Sequence, residues 1–256
     1  MKDTVWMEEM SWPEIERALG SGTTTAIVTA GSIEQHGPHL PLVTDTLLSK
    51  VFAERLAQRI GNTLVAPVIR PGCSDHHMAF PGTISYPPSL LQEVVATYCR
   101  CLAHHGFKRL VLMATHGGNF HPVEEAARQV ANELEGQGVQ VIPLTNMTEF
   151  VAAFLSPLQE FGIVQEITVI QADITETSFV LATRPELVDM ERAGRGFVGE
   201  FDPAALLAAG RAGGGLRRIT PNGILGDARN ANPEIGQRLI ASVVEYLYQA
   251  YRQVTE

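Results

Sequence analysis

The chain predicts an α/β fold on a mostly parallel sheet, and three observations point there. Strand and helix signals alternate through the first 145 residues, as in repeated βα units. The strand signals are short apolar runs that end abruptly in polar and glycine residues, as buried parallel strands do at a functional sheet edge. A length of 256 residues suffices for one large domain with a full core and does not require two.

The first strand is Thr24 to Ala30 (TTAIVTA), running into Gly31-Ser32-Ile33-Glu34-Gln35-His36. Apolar positions at helical spacing then mark a helix over Thr46 to Ile60, stopped by Gly61-Asn62. Thr63 to Ile69 is the next strand. Pro87-Pro88-Ser89 opens a helix that continues to about His105, and Gly106 closes it. The third strand, Lys108 to Thr115, contains the apolar run Arg109 to Ala114 (RLVLMA) and leads into His116-Gly117-Gly118-Asn119. A helix over Pro122 to Glu135 and a strand over Val139 to Leu144 complete the regular part. Beyond it, Ile163 to Ala172 reads as a strand and Glu176 to Thr183 as a short helix ended by Arg184-Pro185. The stretch 191–221 is too glycine-rich for one regular element and reads as a long loop or flap. Asn232-Pro233-Glu234 starts a terminal helix that reaches about Arg252.

Composition narrows the partners. A net charge of −9 without a basic run argues against nucleic acid and anionic membrane, leaving a small molecule. No apolar run approaches the roughly 20 residues that cross a bilayer, and acidic residues near the N-terminus replace the apolar region of an export signal. A cytoplasmic location is the expectation. Cys73, Cys99 and Cys101 are too few for a disulfide framework and match no zinc or redox spacing.

Two strand exits deliver chemistry to the sheet edge where open α/β sheets bind ligands. Glu34 and His36 are two apart, so an extended backbone turns both to one side. Asp45 precedes a helix, His116 ends a strand, and Glu176 begins a helix at another strand exit. Two histidines with carboxylates, and no thiolate, suit a catalytic Zn, Mn or Fe, and Asp45 has the two oxygens needed to bridge a pair of ions. Plainer readings stand beside this one. Glu34 and His36 fit a solvated loop, Asp45 a helix N-cap, Glu176 an acid favoured by the helix dipole, and His116-Gly117-Gly118 a phosphate-cradling turn. The loop from Pro71 to His77, followed by Phe80-Pro81-Gly82-Thr83, has the hydroxyls and imidazoles of a substrate pocket, with His76 or His77 facing the site. His104 and His105 fall at a helix C-terminus. His39 and His121 are candidates to orient ligands from behind.

These residues together resemble the creatininase (creatinine amidohydrolase) family. The resembling segments are Gly31 to Pro41 with Thr44-Asp45, Pro71 to His77 with Phe80 to Thr83, His116 to Asn119, Glu176-Thr177-Ser178, and Gly223 to Asp227. The resemblance implies a three-layer α/β/α sandwich, a two-metal site, hydrolysis of a C–N bond in a cyclic amide or formamide, and commonly a hexameric homo-oligomer. Carried over by position, Glu34, His36, Asp45 and His116 match metal ligands, with Asp45 as the bridge. The family's namesake uses a glutamate two residues after the matching histidine, where this chain has Gly118. The chain follows a Gly-Gly-Asn branch, in which Glu176 is expected to take over. Ser74 matches a substrate-pocket serine, and His77, Gly118, Asn119 and Gln171 complete the expected substrate contacts. Many members carry a proton-handling histidine where this chain has Gln171, and glutamine is no acid near neutral pH. Creatinine is therefore not the expected substrate.

The leading expectation is a divalent-metal hydrolase with two ions per chain, in which Glu34, Asp45, His77 and Asp173 are the catalytic candidates. A lactonase, a metal-dependent isomerase or lyase, and a catalytically silent small-molecule binder are its rivals.

Overall fold

A computed structural model describes residues 4–164, 169–200 and 214–256. The sheet is parallel throughout: β1 (Thr25–Ala30), β2 (Thr63–Val65), β3 (Arg109–Ala114) and β4 (Gln140–Leu144) stand in the order β2-β1-β3-β4. β1 is buried along its whole length, as is β3 beyond Arg109, which is why both read as unbroken apolar runs. β4 carries Pro143 and, among the described residues, pairs only with β3, an edge position where a missing N–H is tolerated. The second strand is shorter than expected: regular pairing with β1 stops at Val65, and the last ladder bond is Ala66 N to Ile27 O, just before Pro67. Pairing with β1 resumes at one bridge, Ala30 to Ile69.

Helices cover both faces, giving the α/β/α layering. α3 (Pro88–His105) and α4 (Phe120–Glu133) pack on each other and on β1, β3 and β4. The other group is α2 (Thr44–Ile60), α5 (Met147–Leu155), α6 (Ile174–Thr183) and the terminal α7 (Pro233–Thr255), gathered around α7. α7 buries Ile235, Leu239, Val243 and Leu247, a stripe at spacings of four, and Asn232 caps it by accepting from Ile235 N. Phe52 of α2 meets Phe154 of α5 and Phe179 of α6 with ring centroids 6.2 and 5.6 Å apart. These edge-on and tilted contacts add to simple burial and fix α6 against α2.

Two helices were not anticipated, α5 and α1 (Trp12–Gly20), the latter begun by a reciprocal Ser11/Glu14 capping box. The expected strand over Ile163 to Ala172 is not formed by its described residues. Gln171 makes one antiparallel bridge to Leu225, and Ala172 then turns to φ +54°, which ends any extended run before α6. Of the glycine-rich stretch, 201–213 lies outside the described residues. The part before it is pinned: Gly196 N donates to Gly226 O at 2.8 Å and Phe197 N to Ile224 O at 3.0 Å, and a Cβ on Gly196 would lie 1.9 Å from Ile224 O.

From β1 the chain moves to β2 on one side and then, after α3, to β3 on the other. The C-terminal ends of β1 and β3 therefore flank the topological switch point, the crevice where such sheets bind ligands.

Candidate metal centre

Five side chains converge above that crevice, all essentially buried: Glu34 (0% exposed), His36 (1%), Asp45 (2%), Glu176 (4%) and His116 (5%). Glu34 and His36 leave β1, His116 follows β3 by two residues, Asp45 lies in the first turn of α2, and Glu176 lies in the first turn of α6. Two ligand groups result, Glu34–Asp45–His116 and His36–Asp45–Glu176. Asp45 belongs to both through different oxygens. Its Oδ2 is 3.3 Å from His116 Nδ1 and its Oδ1 is 3.4 Å from His36 Nε2. Glu34 Oε2 lies 3.3 Å from His116 Nδ1, and Glu176 Oε1 lies 3.6 Å from His36 Nε2. The N-cap reading of Asp45 is set aside: the cap is Val43, with no side-chain bond, and Asp45 Oδ2 instead accepts from Ser32 Oγ at 2.7 Å.

The residues behind the ligands fix their orientation, as outer partners of metal ligands do. His116 Nε2 donates to Cys73 O at 3.0 Å, leaving Nδ1 for the site, and His36 Nδ1 donates to Glu34 O at 3.2 Å, leaving Nε2. Glu176 Oε2 accepts from Ala172 N at 2.5 Å, the N–H that the left-handed Ala172 presents. Thr115 Oγ1 donates to Asp45 O at 2.8 Å and meets Ser49 Oγ at 2.8 Å.

Charge balance is the test of what such a cluster holds. Burial pushes the Glu34 carboxyl up to about 7, with the Asp45 charge adding to the rise and His116 opposing it. Burial also works against charge on Asp45, yet His36 and His116 hold it well below the usual carboxylate range. Burial would depress both histidines, but Glu176 and Asp45 raise His36 well above an ordinary imidazole, and Glu34 and Asp45 raise His116 to about 9. Three buried carboxylates thus draw protons onto two imidazoles. Glu34 Oε2 and His36 Nε2 remain buried without a hydrogen bond, and Glu34 Oε1 has only the His77 ring beside it, which is costly unless something else satisfies them. Nitrogen and hard oxygen donors, tautomers preset for coordination and orphaned ligand atoms all fit divalent cations.

The remaining expected residues fall into two sets. His77 is buried at the site, with Nε2 3.2 Å from Glu34 Oε1, and Ser74 Oγ is 3.5 Å from His116 Nε2. His76 stacks on the His116 ring at a centroid distance of 5.6 Å. Asn119, Gly118, Gln171 and Asp173 lie at the margins with other work in hand. Asn119 Oδ1 accepts from Cys73 N at 2.8 Å, and Nδ2 donates to Gly31 O at 2.9 Å, stapling the Cys73 loop to the exit of β1. Gly118 admits no side chain, because a Cβ would sit 2.1 Å from Cys73 O. Gln171 Nε2 donates to Gln35 O at 3.0 Å. Asp173 caps α6, its Oδ1 accepting from Thr175 N, Thr175 Oγ1 and Glu176 N. His39 is buried behind the site with Nε2 2.8 Å from Thr177 Oγ1, whereas His121 stands exposed on α4. Gln35 was missed as an individual residue. Nothing local to its polar motif singles it out, and only its distant partners reveal it.

Comparison with known proteins shows the family. The family model described as "Creatininase: Creatinine amidohydrolase" matches residues 8–251. A creatinine amidohydrolase of Pseudomonas putida is 28% identical over 266 aligned positions, covering 99% of this chain and 98% of the relative. A mycofactocin precursor peptide peptidase of Mycolicibacterium smegmatis is 32% identical over 234 positions, covering 89% and 84%. Two solved structures, "Creatininase Mn" and a mutant creatininase of "Zn-Zn type", superpose with TM-scores of 0.81 and 0.80 at 28% identity, each covering 98% of both chains.

Proposed function

Because the chain belongs to the creatininase family of metal-dependent amidohydrolases, we propose that it holds two divalent ions and hydrolyses the C–N bond of a small cyclic amide or formamide other than creatinine. One observation carries this reading: Asp45 contributes one carboxylate oxygen to each of two buried ligand groups, the arrangement of a bridging carboxylate. Glu34, Asp45 and His116 would hold one ion and His36, Asp45 and Glu176 the other. Bound there, Zn, Mn or Fe supplies Lewis acidity toward a carbonyl oxygen and toward water.

The protein's own groups account for the proton. Glu34 Oε1 takes a proton from the attacking water as the C–O bond forms, and passes it to the nitrogen as the C–N bond breaks, leaving a carboxylic acid and an amine. His77, 3.2 Å from that oxygen, holds the carboxylate. Asp173, the other expected proton carrier, is the weaker choice, since its Oδ1 already accepts three hydrogen bonds as a helix cap. Gln171 cannot act as the proton-handling histidine that the family resemblance implies at that place, which supports a substrate other than creatinine. The 32% identity to a peptide peptidase supports a second reading in which the same C–N chemistry acts on a peptide bond. A Gly-Gly-Asn branch, a cytoplasmic location and homo-oligomeric assembly complete the proposal; among the described residues no helix is long and apolar enough to cross a membrane.

Metal analysis of the purified protein tests it, joined to a screen of cyclic amides, formamides and short peptides in ¹⁸O water. About two ions per chain and one ¹⁸O in the product carboxyl are expected. A chain that binds no Zn, Mn or Fe on titration leaves the silent-binder reading in its place, and turnover without ¹⁸O points to elimination or isomerisation.

A further inference from the structure

Gln35 lies between two proposed ligands, Glu34 and His36, and its side chain belongs to neither ligand group. It is 5% exposed, and its amide joins three segments of the chain. The two ends of that amide are told apart by neighbours that cannot exchange roles. Gly37 N, which can only donate, approaches Oε1 at 3.0 Å. Gly223 O, which can only accept, faces Nε2 at 3.2 Å. The second hydrogen on Nε2 is then available to His77 Nδ1, 3.0 Å away, so Nδ1 is the accepting nitrogen of that ring. A neutral imidazole that accepts at Nδ1 carries its proton on Nε2, the nitrogen turned toward Glu34 Oε1.

We propose that Gln35 is a positioning residue whose amide selects the Nε2–H tautomer of His77, so that a hydrogen-bond donor rather than a lone pair faces the Glu34 carboxylate. The frame around Gln35 is built for this. Its backbone N donates to Thr83 Oγ1 at 3.3 Å and its backbone O accepts from Gln171 Nε2 at 3.0 Å. Gly223 comes so close that a Cβ there would lie 1.8 Å from Gln35 Oε1. Gln171 thus braces the residue that sets the tautomer, a role that involves no proton transfer. The consequence for catalysis rests on the hydrolase reading, while the tautomer itself does not.

The test is long-range ¹H–¹⁵N correlation of ring-labelled histidines in the zinc-loaded protein, with the His77 ring assigned by its loss in His77→Asn. The parent is expected to show an unprotonated Nδ1 and a protonated Nε2. In Gln35→Glu an acceptor replaces the donor, and Nδ1 is expected to gain a proton while Nε2 keeps the one that faces Glu34. In Gln35→Met no donor remains, and the two ring shifts are expected to converge as the tautomers mix. Zinc content should stay near the parental value in both variants, because Gln35 is no ligand. A parent ring protonated at Nδ1, or a ring pattern unchanged in folded Gln35→Met and Gln35→Glu, overturns the proposal. If Gln35→Glu does not fold, Gln35→Met decides alone. A parent that binds no zinc sinks the hydrolase reading instead, and the ring pattern of the zinc-free protein still decides this one.

Discussion

The two ligand groups that share Asp45 are held by different means. Glu34 and His116 stand on the exits of adjacent central strands, and the loop behind His116 is stapled by Asn119 to the backbone of Gly31. The second group depends on Glu176, which comes from α6, a helix outside the sheet. Its carboxylate is placed by the backbone N–H of Ala172, and α6 itself is placed by Phe179 packing on Phe52 of α2. The sheet-borne half is fixed by chain continuity with β1 and β3; the helix-borne half is only as rigid as the docking of α6. The first should therefore bind its ion more tightly than the second.

Removing the shared residue breaks both halves and should have the largest effect. In Asp45→Asn the bridge loses its charge, and the content measured by metal analysis should fall from about two ions to nearly none. Turnover should fall by more than the 10–100-fold typical of outer-sphere losses. Retention of one full equivalent would show that the halves are independent and that Asp45 is no bridge.

Single-half variants sharpen the contrast. Glu176→Ala is expected to keep about one ion, whereas His116→Ala, which opens the tighter half beside the shared carboxylate, should retain less than that. Stepwise chelation of the parent should release the ions in two phases. Equal losses in both variants, with single-phase release, would remove the distinction drawn between the halves.

Asn119→Ala tests the staple without touching a ligand. It strands Cys73 N and Gly31 O in a fully buried place, at a cost of roughly 1–3 kcal/mol for each group, so a drop in Tm of several degrees is expected. Zinc affinity should weaken more in the His116 half than in the Glu176 half. An unchanged Tm would mean that Asn119 is not the brace its hydrogen bonds describe.

What the sequence made legible follows the same division. β1, β3 and their exits were readable because burial on both faces leaves a continuous apolar run, and because glycine and polar residues mark where each strand stops. Glu34, His36 and His116 could be placed at those exits and Asp45 before a helix, while the ligand set itself came from the family resemblance. Less legible was whatever depends on distant partners. Asn119 looked like a substrate contact, yet its bonds reach back to Gly31 and Cys73. Gln35 looked like one polar residue among several, and its partners His77 and Gly223 are 42 and 188 positions away. α5 (MTEFVAAFL) is short and mostly apolar, with only Phe150 and Phe154 buried at helical spacing, and its clearest local mark is the Asn146 cap that accepts from Glu149 N. The turn at Ala172 depends on Glu176 accepting its N–H, which no run of residues from Ile163 announces.

The smallest predicted effect is in pH dependence, and it separates ligand from non-ligand histidines. Burial, with His116 beside it, pushes His76 down to about 3, and burial with His36 beside it pushes His39 to about 4, both from an ordinary 6.5. Unfolding lets each take up a proton that the folded state refuses. Their stabilising effect is therefore complete above about 6.5 and declines as pH falls from there toward 4 and 3. His116 behaves in the opposite sense. Burial alone would lower it, but Glu34 and Asp45 raise it to about 9, so in the metal-free protein its contribution is complete below 6.5 and is lost as pH rises toward 9. Ions in the centre displace that proton and should abolish the alkaline decline while leaving the acid one. Thermal melts from pH 4 to 9, with and without zinc, check this. His39→Gln should shrink the acid limb in both series, and an alkaline limb equally steep with zinc bound would mean that His116 Nδ1 is not where the ion sits.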